Sequence, residues 1–450
     1  MDFINSSLWR EVAPVLASGE KPVHYAWQAT VFAGDDAIKP FRVLSIDFNQ
    51  DYLNNYTDYI LLTVLIPLGT YAKRVYPLLG NLDVELKRLQ IGEVSSAYNQ
   101  NSQPEVERYT ATMIDTGNPI LEASTRNARS EEDLNRLEIL TVKFQLTNKS
   151  LEQIRMIPVG GIYRNMTGED VVKAVLTRGS RLTDVDEERK VKGVHMVTAS
   201  NQRAREVIEI PHNTPLVNVP HHVHYYGGGL YSAGLGYYLH RNHWYVFPAY
   251  DHTRFESGDP TLTIINVPQH KLPGVERTYR KDGENLVVIA TGPSSFRDIK
   301  NVAQLNQGNG VRFADADQLI EGFTTVKGNK AVAARGKSNT EMISEKRENN
   351  MNYVTTGSRN ITANPYVEYS ALAARQGSAA NFVWENADRT HLYPGMPTRV
   401  LYLDGNEVKE MDGVLLGAHE YTSLREPGGT SHRFSSSVTL SVFVRAQDKQ

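Results

Sequence analysis

Cysteine is absent from the 450-residue sequence. Disulfide bonds, thiolate catalysis and zinc or iron–sulfur sites with cysteine ligands are therefore excluded, because each needs a cysteine sulfur. A charge excess of one sign is also absent, since 48 basic and 51 acidic side chains give a net charge of −3 at pH 7. Dedicated binders of nucleic acids or anionic membranes carry strongly basic surfaces, so this balance argues against both classes.

Long apolar runs are absent as well. The longest one, residues 59–67, is well short of the roughly 20 residues that a membrane-spanning helix needs. Residues 1–10 contain no basic segment followed by an apolar one, so we expect no standard signal peptide and synthesis in a cytoplasm.

No motif for catalysis or phosphate binding is complete. The glycines between 227 and 236 lack the spacing of a phosphate-binding loop. Ser294 and Ser295 do not stand in a Gly-x-Ser-x-Gly nucleophile elbow. The acidic runs at 131–133 and 187–188 single out no carboxylate pair for glycoside cleavage. We therefore predict no catalytic residue and no cofactor, and that the protein is not an enzyme.

Histidine is concentrated in one part of the chain, with seven of the 13 histidines between residues 212 and 252. His222 and His224, on one face of a predicted strand, together with His243 from the following hairpin, form a candidate zinc or non-haem iron site. The same region is rich in tyrosine, and histidine there also serves as a small aromatic packing residue. We favour the packing interpretation and keep a metal-dependent hydrolase as an alternative.

Apolar and polar residues alternate along several segments, which is typical of strands with one buried face. Such segments include 82–87, 140–146 and 435–445. Residues 59–66 lack the alternation and predict a strand buried on both faces, and residues 69–79 predict a short helix. The predicted fold class is mainly β with α (α+β), with two antiparallel β-barrels and a mixed helical and β middle region.

A capped helix is predicted between these two blocks. Thr167 is a candidate N-cap with Asp170 three positions later, and Gly179 is a candidate stop. The apolar residues between them recur at the spacing of one helix face. The segment therefore predicts a helix that separates two strand-rich regions.

Changes in composition predict five regions along the chain. One of these regions, a polar arm over 297–364, is poor in aromatic residues and rich in Asn, Gln, Lys and Gly, which is typical of long exposed segments. The regions are a first β-barrel over 1–157 with a surface insertion at 92–136, a helical connector and linker over 158–210, an aromatic and histidine-rich α+β middle domain over 211–296, a polar insertion or arm over 297–364, and a second β-barrel over 365–450.

Tyrosine is unusually common, with 23 residues against 13 phenylalanines and four tryptophans. Tyrosine suits protein–protein contacts because its ring is apolar and its tip is polar. The aromatic hairpin region supplies four candidate interface residues, for which core packing stays an equal alternative. They are Tyr237, Trp244, Tyr245 and Tyr250.

Four stretches resemble the baseplate hub proteins of contractile-tailed bacteriophages. They are residues 55–64 together with 71–81, residues 161–165, residues 235–255 and residues 393–405. The resemblance is spread over most of the chain and has no counterpart at 297–350. It implies that each chain carries two tail-tube-like barrels, so that a homotrimer presents six barrels to a sixfold tail tube and a threefold face to a central spike.

The resemblance also implies a location and partners. The protein would be a virion component of the tail baseplate, assembled in the host cytoplasm, with DNA passing transiently through its channel. Its partners would be other copies of itself, the central spike protein, the tail tube or tube-initiator protein and the baseplate wedge proteins, with no membrane involved. The alternative within this class is a distal tail or tube-initiator protein that forms a hexameric ring with one barrel per chain.

Overall fold

The computed structural model describes most of the chain. Residues 405–406, most of the predicted insertion at 92–136 and most of the predicted arm at 297–364 lie outside the described residues. The described residues are 6–17, 24–91, 105–115, 139–257, 260–267, 269–272, 278–292, 294–298, 313–314, 325–327, 330–332, 354–355, 364–375, 377–404, 407–424 and 434–446.

Five α-helices of two or more turns occur among these residues. They are α1 (Trp9–Ala17), α2 (Lys149–Met156), α3 (Gly168–Ser180), α4 (Val219–Tyr225) and α5 (Pro365–Arg375). Shorter turns of α-, π- or 3-10 helix are Leu68–Thr70, Tyr71–Val75, Tyr76–Leu78, Glu187–Arg189, Leu216–Asn218, His252–Ser257, Gln269–Lys271 and Arg389–His391. No helix in the described part of the chain is long and apolar enough to cross a membrane.

Strands make up most of the remaining regular structure. They are β1 (His24–Ala33), β2 (Asp36–Ile38), β3 (Arg42–Asp51), β4 (Tyr59–Pro67), β5 (Leu82–Ile91), β6 (Glu105–Asp115), β7 (Ile139–Asn148), β8 (Pro158–Met166), β9 (Gly193–Met196), β10 (Arg205–Pro215), β11 (Leu235–His240), β12 (His243–Pro248), β13 (Leu262–Asn266), β14 (Tyr279–Asp282), β15 (Asn285–Ala290), β16 (Ser295–Asp298), β17 (Phe313–Ala314), β18 (Thr325–Lys327), β19 (Lys330–Val332), β20 (Val354–Thr355), β21 (Ser378–Glu385), β22 (Pro397–Asp404), β23 (Glu407–Leu424) and β24 (Phe434–Ala446).

Fifteen of these strands form one continuous sheet with two halves. In the first half the order is β2-β1-β5-β6-β7-β4-β3, and in the second it is β14-β15-β13-β22-β23-β24-β21-β16. The long strand β23 joins the halves, because residues 407–414 pair with β22 and residues 417–423 pair with β3. A β-bulge in β23 between Leu415 and Gly417 separates the part that pairs with β22 from the part that pairs with β3.

Each half curls until strands near its two ends approach each other, β1 with β3 in the first and β15 with β21 in the second. No ladder joins either pair among the described strands, so the sheet stays open. The predicted mainly β fold with helices is confirmed, but the described strands form no closed barrel. They are also not all antiparallel, since β13 runs parallel to both β15 and β22.

The two halves have separate apolar cores. The first core contains Phe48 and Phe144, and the second contains Phe382 and Trp384. Helix α1 covers the opposite face of β13 and β15, so these parallel strands are buried on both faces.

Strand β4 differs from the sequence prediction. Its residues alternate between buried and half-buried from Ile60 to Ile66, so one face packs in the core and the other is only partly covered. The apolar side chains on the outer face made the pattern resemble a fully buried strand.

The predicted helices are confirmed. Residues 68–78 form consecutive helical turns, and Pro77 lies in the last one. The Thr167 hydroxyl accepts a hydrogen bond from the Asp170 amide, and α3 ends at Ser180. In the middle region, helices α3 and α4, the two-stranded ribbon of β8 and β10, and the sheet with the strand order β11-β12-β9 pack around a third core.

Candidate functional site: a charged junction between the sheet halves

Buried charged side chains meet where the two sheet halves and the middle region come together. Asp58 precedes β4 in the first half, and Glu420 lies on β23. Asp388 and Arg389 follow β21 in the second half, where the Asp388 side chain caps a 3-10 turn by accepting from the Thr390 amide. The junction residues thus come from elements that are distant in sequence.

Arg389 is at the centre of this junction. Its Nε lies 2.6 Å from a carboxylate oxygen of Glu420, and the two side chains are 7% and 5% exposed. Arg389 Nη1 lies 3.9 Å from Oδ2 of a second carboxylate, Asp58. The guanidinium lies 3.7 Å from the ring centroid of Phe48. Burial alone would lower the pKa of Arg389, but the surrounding carboxylates raise it above its ordinary value.

Asp388 connects the second half to β1 and β5. The Arg88 guanidinium donates to one of its carboxylate oxygens at 2.8 Å, and the Tyr25 hydroxyl donates to the other at 2.7 Å. Arg88 also lies over the Tyr25 ring, 3.5 Å from its centroid. Burial would raise the pKa of Asp388, but the Arg88 charge and the hydrogen bonds hold it well below its usual value.

Asp58 connects the first half to the aromatic hairpin. It accepts hydrogen bonds from Gln50 Nε2 at 2.9 Å and from the Tyr238 hydroxyl at 2.8 Å. His240 Nδ1 is 3.9 Å away. Burial would raise the pKa of Asp58, but His240, Arg389 and Gln50 lower it to about 2. The carboxylate is therefore ionised at neutral pH. Its contacts connect β3, strand β11 of the aromatic hairpin and the turn after β21.

A polar cavity of about 730 Å³ adjoins the junction. Its lining includes Asp58, His240 and Arg241, and the other charged side chains have both signs. The additional carboxylates are Glu85, Glu105, Glu107, Asp186 and Glu188, and the additional cations are Arg108, Lys149, Arg189 and Lys192. Because the charges nearly balance, this lining does not favour an ion of one sign.

The charged side chains of the junction hold the sheet halves and the middle region together. Each carboxylate and cation is buried or largely buried beside a partner of opposite charge, and removal of one partner would leave an uncompensated charge away from water. Such networks fix the relative placement of the elements that supply them. The contacts at the junction are ion pairs and hydrogen bonds that connect distant elements.

The histidine candidates are placed differently from the prediction. His222 and His224 lie on helix α4, not on a strand. Pro220 occupies the first turn of that helix, where its fixed φ is favourable, and Val219 and Val223 bury one face. His243 begins β12, and its ring packs at a tilt against that of His195 with ring centroids 4.9 Å apart.

The environment of His224 is that of a packed core residue. It is fully buried, and its Nδ1 accepts a hydrogen bond from the Leu230 amide at 3.2 Å. Burial and the nearby His221 lower its pKa to about 4. His222 Nε2 lies 3.0 Å from the Glu209 carbonyl oxygen. In the described part of the chain, no group of three or more His, Asp or Glu side chains is arranged to hold a metal ion.

The four aromatic interface candidates divide into two groups. Trp244 is fully buried, and its indole N–H donates to Ser180 Oγ at 3.1 Å, so it belongs to the middle core. The other three are half-buried in the single chain. The Tyr237 ring packs at a tilt against Tyr56, Tyr245 stacks on His195, and Tyr250 meets Phe443 edge to face. A role of these three in an interface stays a prediction.

Comparison with known proteins yields similarity in structure only. No protein-family model matches the sequence, and no curated protein matches it. The tail protein from Neisseria meningitidis MC58 is 13% identical, with a TM-score of 0.45, and the match covers 93% of this chain and 96% of that one. The 43 kDa tail protein of prophage MuSo2 from Shewanella oneidensis is 10% identical, with a TM-score of 0.47 and coverages of 93% and 99%.

A chain of the phage P2 baseplate in its activated conformation is also similar. It is 10% identical, with a TM-score of 0.34, and the match covers 94% of this chain and all of that one. These proteins are tail and baseplate proteins, the same class of protein that four stretches of the sequence resemble. At these identities the likeness concerns the fold alone.

Proposed function

We propose that this chain is a structural, non-enzymatic hub of a phage-type tail baseplate. The observation that supports this proposal most strongly is that one chain contains two curled sheet halves of similar build. Six strands surround the first core (β1, β5, β6, β7, β4 and β3), and six surround the second (β15, β13, β22, β23, β24 and β21). In each half, strands near the two ends approach each other, β1 and β3 in the first and β15 and β21 in the second.

This repetition suits a symmetry adaptor. Three copies related by a threefold axis would place six similar sheet halves in a ring, which is the number that a sixfold tube presents. The opposite face of the same ring keeps threefold symmetry and would receive a trimeric spike. The tail tube or tube-initiator protein, the central spike and the baseplate wedge proteins are accordingly the proposed partners, and the virion is the proposed location.

The charge of the chain is compatible with a channel for DNA. A strongly basic lumen would hold passing phosphates through counterion release and electrostatic attraction. The net charge of −3 gives no such excess of positive charge. A ring of these chains would therefore let DNA pass without retaining it.

The buried junction supports a mechanical role. Asp58, Arg389 and Asp388 join the first half, the second half and the middle region through ion pairs and hydrogen bonds. An adaptor must transmit force without a change in the angle between its two halves, and a network of largely buried ion pairs and hydrogen bonds resists such a change.

The oligomeric state of the full chain tests the proposal. Native mass spectrometry should give a species of three times 50.4 kDa. A hexamer would instead favour the distal tail or tube-initiator alternative, and a stable monomer over the micromolar range would contradict both. Large obligate interfaces are expected for a hub, so dilution should also lower the melting temperature.

A further inference from the structure

Strands β1 and β3, near the two ends of the first sheet half, leave a seam between them. Strand β1 pairs with β2 only at residues 31–33, and near Trp27 and Ala29 its described ladder neighbour is β5. Strand β3 pairs with β23 from Ser45 onward, so at Val43 its described ladder is with β4 alone. A cavity of about 330 Å³ lies between these two stretches. We call it the β1–β3 seam.

The floor of the seam is the first core itself. Trp27, Ala29, Val43, Leu424 and Phe434 line it, and they are 5–9% exposed. Most other members of this core are 0–3% exposed. The core is thus least well covered along this line, and apolar surface that remains in contact with water there would be buried by a partner.

The rim of the seam carries one exposed apolar side chain and three basic ones. Phe41 is 68% exposed although it lines the cavity. Lys39, Arg42 and Lys87 are the charged side chains of the lining, and the lining includes no carboxylate. Lys87 also pairs with Glu85 at 3.0 Å, outside the lining. An occupant with carboxylates would complement this rim, and one with lysines or arginines would be repelled.

We propose that the β1–β3 seam is a docking groove for an extended segment of a partner polypeptide that carries bulky apolar side chains next to carboxylates. The apolar side chains pack on Phe41 and over the least covered line of the core, and the carboxylates lie beside Lys39. Such alternation is natural for an extended chain beside a sheet edge, since neighbouring side chains point in opposite directions. The proposal does not depend on the number of copies in the assembly.

The test uses the full chain and synthetic peptides. A fluorescein-labelled peptide that alternates phenylalanine or leucine with glutamate is titrated with the protein, and anisotropy gives Kd. The same peptide with lysine for glutamate and one with serine for the apolar residues are the comparison probes. We expect Kd in the micromolar range for the acidic apolar peptide, weakening as salt rises, and at least tenfold weaker binding of both other peptides.

Two variants locate the site. Phe41→Ser removes the exposed ring, and Lys39→Glu reverses a rim charge; each should weaken binding about tenfold. Lys271→Glu, which changes an exposed lysine away from the seam, is the matched control and should leave Kd unchanged. Because the Phe41 side chain is largely in solvent and its amide bonds to the Leu65 carbonyl, Phe41→Ser should stay folded, which circular dichroism verifies.

Hydrogen exchange gives an independent readout. The bound acidic peptide should slow amide exchange in β1 and in the first residues of β3 in the unmodified protein. Binding that is equal for all three peptides, protection elsewhere, or an unchanged Kd in both seam variants would overturn the proposal. Absence of binding at millimolar peptide would overturn it as well.

Discussion

At the scale of single residues, the account depends most on Arg389. It compensates buried carboxylates on two elements, and its loss would leave Glu420 and Asp58 without their cation. No local sequence pattern predicts this residue. Asp388 and Arg88, for example, are 300 positions apart, and nothing local in either segment marks the other as a partner. Buried ion pairs between distant segments become visible only when the fold brings them together.

Replacement of Arg389 by methionine should therefore lower the free energy of unfolding by about 3–5 kcal/mol, the usual cost of an uncompensated buried charge. Urea unfolding followed by tryptophan fluorescence measures it. The control is Arg74→Met, which breaks the exposed ion pair of Arg74 with Asp36 and should cost less than about 1 kcal/mol. Equal costs for the two variants would contradict the importance of the junction.

The buried His224 should make the stability depend on pH. Its pKa is lowered from 6.5 to about 4, so the unfolded chain binds more protons between these values. Stability is full above pH 6.5 and falls by up to about 3 kcal/mol as the pH drops toward 4. Melting curves of His224→Gln, which keeps an acceptor for the Leu230 amide, should show a smaller decrease across this range.

The exposed His212 supplies the control for that measurement. The variant His212→Gln should keep the pH dependence of the unmodified protein. Below pH 4 a second loss of stability should appear in all variants, because Asp58 and Asp388 have lowered pKa values and become protonated only in stronger acid. A His224→Gln protein with an unchanged decrease between pH 6.5 and 4 would contradict the assignment.

At the scale of elements, strands and helices with strong local patterns were predictable. The alternation in β5, β7 and β24 and the cap of α3 come from adjacent residues, so the sequence is sufficient for them. Helix α4 was predicted as a strand, because its histidines and valines also fit an extended pattern over so short a segment. Tertiary packing against the ribbon β8–β10 and α3 decides that case.

The cap of α3 should have a measurable effect. Thr167→Ala removes the oxygen that accepts from the Asp170 amide and should cost about 1 kcal/mol. Thr177→Ala, within the same helix, is the matched control and should be neutral or slightly stabilising, since alanine has the higher helix propensity. A larger loss at 177 than at 167 in urea unfolding would count against the cap.

The close approach of β23 to β24 depends on Gly413. A methyl group there would lie 1.8 Å from the Phe443 carbonyl oxygen, so Gly413→Ala must separate the two strands. We expect a loss of about 3 kcal/mol or more, visible as a lower melting temperature. Gly80→Ala, where a methyl group would meet nothing within 4 Å, is the control and should have little effect. A Gly413→Ala protein as stable as the control would contradict this packing.

At the scale of the whole molecule, the sequence predicted two strand-rich blocks and a helical middle but not their continuity. The shared strand β23 and the insertion of β13 and β15 beside β22 join segments that are more than 100 residues apart. Such long-range pairings leave no periodic signal in either segment. The open sheet is therefore the main architectural finding that sequence analysis could not supply.

The central claim is that two similar sheet halves in each chain let three copies match a sixfold partner. Electron microscopy of the purified full-length assembly, viewed along its symmetry axis, tests it most directly. The account predicts rings with exact threefold symmetry that contain six lobes of nearly equal size. Rings of six identical chains, or particles with any other rotational symmetry, would contradict it.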